Sequence, residues 1–516
     1  MELSREQVYL DQTVGNEQQQ LMLEGEILIP DAKPDMQLIL QTESRMTIER
    51  ADIAAERIHF SGRMALSVLY LAKSGDKTVH AISHSHNVED FINLEGIDKD
   101  MFARLDAEIV NIEFRMVNDR KVSWRAVANV RAYAERSDAH PMVIHIHDVP
   151  ENQLLKSPLP VNRTIEHRTE RFSVAEQIIL PGGKPNVQEV LLVTAAISGC
   201  EERMANGRVT LAGELLVTAL YRGDTDGRIE FLESTVPFSG AFDVSGARED
   251  MLADVSLQVL EHNARTIADD DGEDRVIDIE ISLGAQIKVY ATETLSVLQD
   301  AYCTRRQLHI SKTNVLVPRL LCHNRNQTPV KEIVELSGNA PDMLQVFRVR
   351  GVAHLDDVKV LDDKVVVEGA ITTDILYVAQ SDSQPLGAYS TVIPFRQVIE
   401  AKGATPTMRV SVATSIDQAT FNMLSPRETE VRFQLTFNTR IIEERDASIV
   451  NDITATEPDP TAHDANPSMT IYIVQPADTP WSVAKRFNTP LDELLETNDL
   501  ETGAVLTVGQ KLLLVK

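Results

Sequence analysis

The sequence predicts a mainly β protein: three tandem β-rich repeats, each sandwich-like or barrel-like, followed by a small module with the order strand, helix, helix, strand (βααβ). Three observations predict this fold class. A set of Gly, Pro and Tyr positions recurs three times along the 516 residues. Between these positions polar and apolar residues alternate with a period of two, which a strand with one buried face requires. The last 47 residues differ, because they carry two helix-start signals between two short apolar runs.

The repeat is defined by a Gly followed eight residues later by a Tyr, with a Pro 28 residues before the Gly. The three sets are Pro34, Gly62 and Tyr70; Pro185, Gly213 and Tyr221; and Pro341, Gly369 and Tyr377. Downstream, three further residues each lie eight positions before a second Gly: Val88 before Gly96, Phe238 before Gly246, and Phe395 before Gly403. The Pro, Gly and Tyr positions recur at offsets of 151 and 156 residues, which indicates internal repetition.

The repeats divide the chain into domains at 1–156, 157–304 and 305–442. Each domain is expected to end in a strand pair: 106–117 with 121–134, 254–264 with 275–290, and 409–419 with 428–442. Polar turn signals lie at 73–77, 222–228 and 380–387, and an acidic hairpin tip lies at 268–275. Residues 443–469 are acidic, contain Pro and are poor in apolar residues, which predicts a flexible linker before the module at 470–516.

Capping residues and first-turn prolines mark both helix starts in the C-terminal module. Thr479 and Pro480 supply a cap and a first-turn Pro for the first helix. Thr489 and Pro490 repeat the pattern for the second helix, where Asp492 completes a capping box. An alternating strand at 470–474 and an apolar strand at 509–515 enclose the two helices.

This pattern resembles the LysM family. The matching positions are Tyr472, Asp478, Thr479, Trp481, Ser482, Val483, Ala484, Asn498, Gly509, Gln510, Lys511 and Leu512. The resemblance implies binding of N-acetylglucosamine glycans such as peptidoglycan or chitin in a shallow groove between two loops. In this sequence the groove residues are Ala477, Asp478, Thr479, Pro480, Thr502, Gly503, Ala504 and Val505.

Two departures from the LysM pattern bear on that groove. Ala477 replaces the usual Gly of the first loop, and Pro480 replaces the usual aliphatic residue. Both change the backbone freedom where a sugar would lie against the main chain. A protein ligand in the same groove is therefore the alternative to a glycan.

The segments "IPDAKPD" and "LPGGKPN" ahead of the Gly-to-Tyr strand make the repeats similar to the SPOCS domain of spore coat and spore envelope proteins. The third copy lacks the Lys-Pro pair. SPOCS repeats that end in a LysM module are similar to the SipL-type morphogenetic proteins of endospore-forming clostridia. This resemblance implies a protein of the mother-cell cytoplasm that acts at the forespore surface. There it tethers the basement-layer ATPase of the coat, and the LysM module contributes to that contact.

Charge and cysteine content limit the classes of partner. With 50 Lys and Arg against 78 Asp and Glu, the net charge is -28, which opposes binding to nucleic acid or to an anionic membrane. Cys200, Cys303 and Cys322 are odd in number and widely spaced, so a disulfide framework or a thiolate zinc site is not expected. We also expect no signal peptide in the charged first 25 residues and no transmembrane segment.

No catalytic motif is expected to be active. Ser482 and Lys485 have Ser-x-x-Lys spacing but lie within the LysM helix without the partner motifs. The pairs His84 with His86 and His145 with His147 are interpreted as solvent-facing strand residues rather than a zinc site. The acidic tip at 269–274 lacks the ligand spacing of an EF-hand, and Trp124 is interpreted as a packing residue. The sequence therefore predicts no enzyme activity, no metal and no cofactor.

Two hypotheses follow. The first is a structural adaptor of the endospore envelope that self-associates or docks a coat protein and carries a ligand-binding LysM end. The second is a peptidoglycan-binding accessory protein in which the repeats are spacers. A cell-wall hydrolase, the third class, would need paired carboxylates or a nucleophile and base in one pocket.

Overall fold

The computed structural model describes residues 2–73, 78–149, 151–225, 227–338, 340–380, 386–456 and 469–515. Each repeat contributes six strands. Repeat 1 has β1 (Glu2–Leu28), β2 (Met36–Ala54), β3 (Arg57–Ala72), β4 (Val79–Asn93), β5 (Phe102–Asn118) and β6 (Lys121–His147). Repeat 2 has β7 (Asn152–Ile179), β8 (Val187–Ala205), β9 (Arg208–Gly223), β10 (Ile229–Asp243), β11 (Leu252–Ile267) and β12 (Val276–Cys303). Repeat 3 has β13 (Gln307–Glu335), β14 (Met343–Leu361), β15 (Lys364–Ala379), β16 (Leu386–Glu400), β17 (Arg409–Ser425) and β18 (Glu428–Thr456).

Every repeat is built from two three-stranded antiparallel sheets that face each other. In repeat 1 the strand orders are β1-β6-β5 and β2-β3-β4, and repeats 2 and 3 have the same orders at equivalent positions. The free edges of the two sheets approach each other, because β5 lies beside β2 and β4 lies beside β1. The predicted sandwich-like or barrel-like β repeat is confirmed, and the three predicted strand pairs form as β5 with β6, β11 with β12, and β17 with β18.

The sequence landmarks have one structural role in all three repeats. Each landmark Tyr is fully buried, and its hydroxyl donates a hydrogen bond to the carbonyl of the landmark Pro. The distances are 3.0 Å for Tyr70, 3.2 Å for Tyr221 and 3.1 Å for Tyr377. A Cβ on any of the three landmark glycines would clash with a carbonyl oxygen of the neighbouring strand. The Pro, Tyr and Gly of each set therefore hold together the first two strands of the second sheet, whose pairing is interrupted by β-bulges.

The first and last strands of each repeat are far longer than the domain needs. Beyond the sheets, β1 with β6, β7 with β12, and β13 with β18 continue as two-stranded ribbons. The three ribbons pack together around two apolar clusters that contain, among others, Leu10, Met142, Val297, Val317, Leu298 and Val450. These two clusters form a core that belongs to no single repeat.

This ribbon bundle corrects two predictions. Residues 443–456 were predicted to be linker but form the end of β18, paired with β13 from Gln307 to Arg319. Ile449, Val450 and Ile453 there are buried against the other ribbons, so the acidic segment is a strand whose apolar residues face partners distant in sequence. The predicted boundary at 156/157 falls inside β7, which begins at Asn152. Linker residues 457–468 lie outside the described residues.

The three repeats close into a ring in which each contacts the other two. Lys33 of repeat 1 pairs with Glu189 of repeat 2 at 2.9 Å, and Arg325 of repeat 3 donates to the Cys200 carbonyl of repeat 2 at 2.6 Å. Repeats 3 and 1 meet through His354 and Glu108 at 2.9 Å. Leucines of all three repeats form an apolar cluster across these contacts: Leu40, Leu69, Leu71, Leu191, Leu192, Leu220, Leu376 and Leu386.

Buried charges mark the centre of the ring, where the equivalent strands β2, β8 and β14 meet. Arg348 donates to Glu43 of repeat 1 and to Thr194 of repeat 2, at 3.2 Å in both cases. Arg350 also pairs with Glu43, at 2.7 Å. Because Glu43, Thr194 and Arg350 all lie nine residues after their landmark Pro, equivalent positions carry different chemistry and the repeats are not interchangeable.

Only some of the predicted turns lie within the described residues. The acidic tip is an exposed turn between β11 and β12. Of the predicted turns at 73–77, 222–228 and 380–387, residues 74–77, 226 and 381–385 lie outside the described residues. The second Gly of each set, at 96, 246 and 403, adopts a positive φ of 80° to 85° after the closing strand of the hairpin.

Candidate functional site

The C-terminal module has the predicted order: β19 (Met469–Ile473), α1 (Pro480–Phe487), α2 (Leu491–Thr497) and β20 (Lys511–Val515). The start of α1 follows the sequence prediction. Thr479 caps the helix in a capping box with Ser482, whose amide donates to the Thr479 hydroxyl at 3.1 Å while the Thr479 amide donates to the Ser482 hydroxyl at 2.9 Å. Pro480 occupies the first turn.

The second predicted cap is wrong. Pro490, not Thr489, is the N-cap of α2, and no side chain caps it. Thr489 is buried, and its carbonyl accepts a hydrogen bond from the Tyr302 hydroxyl of repeat 2 at 2.8 Å. The Thr489 segment therefore serves a contact between the module and the repeats instead of the helix end.

The first predicted groove loop, Ala477 to Pro480, is exposed at Ala477 and Thr479. Ala477 adopts the left-handed conformation with φ 70°, which explains why Gly is usual there and indicates a local backbone cost in this chain. The Asp478 carboxylate is engaged within the module by Tyr472 at 2.5 Å and the Gln475 amide at 2.8 Å. These hydrogen bonds, with Arg486 nearby, lower the pKa of Asp478. Asp478 therefore shapes the loop.

The second predicted groove loop, Thr502 to Val505, is a turn closed by the Ala504 amide donating to the Glu501 carbonyl at 3.0 Å. Gly503 has φ 88°, and Val505 is 92% exposed. The first loop follows β19 and the second precedes β20, and these strands are antiparallel with Ile473 opposite Lys511. Both loops therefore leave the same end of the two-stranded sheet.

Two further residues of the LysM-like pattern, Asn498 and Gln510, connect the elements of the module. The Asn498 side chain bonds to the Leu494 carbonyl and to both backbone groups of Leu513, at 2.6 to 2.8 Å, and so ties α2 to β20. Gln510 accepts from the Thr507 amide at 3.0 Å and pairs by its backbone with Val474. Asn498 and Gln510 therefore fix the segments on either side of the second loop.

The outer face of β19 is apolar. Met469, Ile471 and Ile473 alternate along the strand and are 60%, 66% and 51% exposed. Val508 lies exposed before β20. An exposed apolar row on a module this small is a candidate contact surface for a protein.

A further group, which the sequence analysis missed, joins the module to the repeats. The Trp481 indole N–H donates to Asp300 at 2.8 Å, and Lys485 pairs with both oxygens of that carboxylate at 2.6 and 2.8 Å. The Tyr302 and Trp481 rings meet edge-on with centroids 4.9 Å apart. Asp300 and Tyr302 lie near the end of β12, beyond the strand predicted at 275–290, and only the tertiary structure brings them to the module.

The other candidate residues are placed in structural contacts. Ser482 and Lys485 are engaged in the helix cap and by Asp300, and Trp124 is buried against Gly25 with His86 on its ring. His145 and His147 are exposed neighbours. Within the described ranges no cluster of three or more His, Cys, Asp or Glu residues is arranged to hold a metal ion. Among the same residues no helix combines the length and apolar character needed to cross a membrane.

Comparison with protein families agrees with this architecture. A family model described as SipL, SPOCS domain matches residues 35–117, 186–267 and 342–424, one segment in each repeat. A family model described as LysM domain matches residues 472–515. Neither the curated proteins nor the solved structures give a match to the chain.

Proposed function

Because the chain is a SipL-like protein with three SPOCS domains and a C-terminal LysM domain, we propose that it is a non-catalytic adaptor of the spore envelope whose LysM module binds peptidoglycan glycan. The SPOCS and LysM domains make it a spore envelope protein with a binding module.

One observation carries the proposal: both groove loops are exposed at one end of a module that is itself held on the repeat ring. Thr479, Thr502, Gly503 and Val505 are accessible, while hydrogen bonds of Asp478, Asn498 and Gln510 fix the segments next to the loops. Exposed backbone with few side chains in the way suits a flat sugar ligand that hydrogen-bonds to main-chain groups. The recurring residues of the repeats support a scaffold, because they fill cores and shape turns.

A protein ligand is the second candidate, and the exposed apolar face of β19 favours it. Met469, Ile471 and Ile473 would bury their side chains against a partner such as the basement-layer ATPase of the coat. This face is separate from the two loops, so the two candidate ligands can be distinguished by substitution.

The experiment uses the full chain with single substitutions in each surface. Val505→Asp places a charge in the second loop, and Ile471→Asp places one on the β19 face. Val392→Asp is the control, because Val392 is a similarly exposed valine in repeat 3, with 61% of its surface accessible. Binding is measured by sedimentation with purified peptidoglycan and by capture of the purified coat ATPase.

Glycan binding predicts that wild type sediments with peptidoglycan, that Val505→Asp loses this property, and that the other two variants keep it. If wild type does not sediment and Ile471→Asp alone loses capture of the ATPase, the glycan proposal is wrong and the protein ligand replaces it. Loss in the Val392→Asp control would show that surface charge, and not a site, governs the assay.

Location and self-association follow as further parts of the proposal. We expect the fluorescently tagged protein at the forespore surface of the mother cell and a diffuse signal after deletion of 469–516. Self-association through the repeats predicts a light-scattering mass above the 57.4 kDa of one chain. A diffuse signal from the intact protein would contradict the envelope location.

A further inference from the structure

The LysM module rests on one of three equivalent ribbon tips. In each ribbon the second strand carries a bulged residue, Ile144, Gln299 or Asn451, at the same point near its end. The residues that follow it are therefore equivalent. They are His145 and His147 in repeat 1, Asp300 and Tyr302 in repeat 2, and Asp452 and Thr454 in repeat 3.

Repeat 2 alone combines an available carboxylate with an aromatic ring at these positions. Asp300 receives three hydrogen bonds from the module, two from Lys485 and one from the Trp481 indole. The equivalent Asp452 is already paired with Arg5 at 2.6 Å. The equivalent His145 has no carboxylate to accept these donors.

Tyr302 acts as a part of the module's own core. It is buried, and it belongs to the same apolar cluster as Val474, Val483, Leu494 and Leu512 of the module. Its ring packs on Trp481 and its hydroxyl donates to the Thr489 carbonyl. A βααβ module of this size has little apolar surface to bury, so one contributed aromatic side chain is a sizeable part of its core. The equivalent residues His147 and Thr454 offer no comparable ring, since His147 is exposed and Thr454 is not aromatic.

We propose that Asp300 and Tyr302 make the ribbon tip of repeat 2 a dedicated binding site for the LysM module, which completes the module's core and holds its two loops in one orientation on the ring. The Asp300 carboxylate selects the module by accepting hydrogen bonds from Lys485 and Trp481. The Tyr302 ring holds the module by apolar packing. Both loops stay exposed when the site is filled, so the ring presents the ligand-binding end in a fixed direction. Asp300 and Tyr302 hold the module in the same way whether the loops bind a glycan or a protein.

Fluorine NMR of the full chain tests this directly, because the sequence has two tryptophans. After 5-fluorotryptophan labelling, Trp481 reports on the site and Trp124, buried in repeat 1, is an internal control. Asp300→Asn keeps the shape but removes the charge, and Tyr302→Phe removes only the hydroxyl. Asp452→Asn is the matched control at the equivalent position of repeat 3.

We expect the Trp481 resonance of Asp300→Asn to move toward its solvent-exposed position, with a docking constant reduced by about 10- to 100-fold, as for loss of charge-assisted hydrogen bonds. Tyr302→Phe should shift the same resonance less, and Asp452→Asn should not shift it. The Trp124 resonance should stay constant throughout, which shows that repeat 1 remains folded. An unmoved Trp481 resonance in both repeat 2 variants, or an equal shift in Asp452→Asn, would overturn the proposal.

Discussion

Replacement of Glu43 by Gln should destabilise the ring of repeats more than any exposed charge substitution. Glu43 is only 13% exposed at its side chain and bridges Arg348 and Arg350 at the centre of the ring. Burial already lowers the pKa of Arg348, so its charge depends on the Glu43 carboxylate for compensation. Removing one partner of a buried ion pair typically costs about 3–5 kcal/mol, because the remaining charges stay buried without compensation. We expect a loss of this size in the free energy of unfolding.

The assay is urea unfolding followed by far-UV circular dichroism, with Glu49→Gln as the control. Glu49 lies on the same strand as Glu43 and pairs with Arg63 at 3.1 Å. The side chains of Glu49 and Arg63 are 40% and 41% exposed. An exposed pair of this kind contributes about 0–1 kcal/mol. Equal unfolding free energies for the two variants would refute the reasoning that the central charges hold the three repeats together.

Three further predictions concern single repeats and the contact between repeats 1 and 3. Tyr221→Phe should lower the free energy of unfolding by about 1 kcal/mol in urea titration, because a buried hydrogen bond is lost, and the equivalent variants of the other repeats should match it. Gly213→Ala should cost about 1–3 kcal/mol in the same titration, since its Cβ would clash with the Gly199 carbonyl. The hydrogen bond with Glu108 raises the pKa of His354. This pair between repeats 3 and 1 therefore stabilises the fold fully below about pH 6.5, and the stabilisation is lost as pH rises through the raised pKa. His354→Gln should therefore cost up to about 1 kcal/mol at pH 6 and nothing at pH 9, and an equal cost at both values would contradict this assignment.

The repeat architecture could be predicted because its landmarks act within one repeat. The Pro, Gly and Tyr of each set contact one another through adjacent strands, so their spacing is constrained in every copy. The sequence carries a further landmark, an Arg, that the spacing analysis did not use. Arg120, Arg275 and Arg427 each hydrogen-bond to loop carbonyls and to the Asp or Asn after the landmark Pro, and each lies just before the last long strand of its repeat.

The ribbon bundle could not be predicted, because its burial comes from contacts between repeats. Residues 443–456 read as an acidic linker, since Ile449, Val450 and Ile453 are spaced among charged and polar residues. Their partners lie on the ribbons of repeats 1 and 2, more than a hundred residues away. The role of the Lys that the third copy lacks is likewise visible only in the structure. Lys33 and Lys184 reach Glu189 and Glu230, whereas Ala340 takes their place in repeat 3.

The binding module was predictable at its loops and not at its attachment. The helix cap at Thr479 and the exposed loop residues follow from local sequence. Asp478 is one of the predicted groove residues, and the structure adds that its carboxylate is bonded within the module by Tyr472 and the Gln475 amide. The contacts of Asp300 and Tyr302 with the module join residues about 180 positions apart, which no local pattern records.

A methyl NMR titration of the full chain with N-acetylglucosamine oligomers tests the proposed function most directly. Ala477, Ala504 and Val505 provide labelled methyl groups in the two loops, and Ile471 reports on the β19 face. We expect shifts that saturate at the loop methyl groups while the Ile471 resonance stays unchanged. Loop methyl groups that do not move at millimolar sugar would contradict glycan binding by this module.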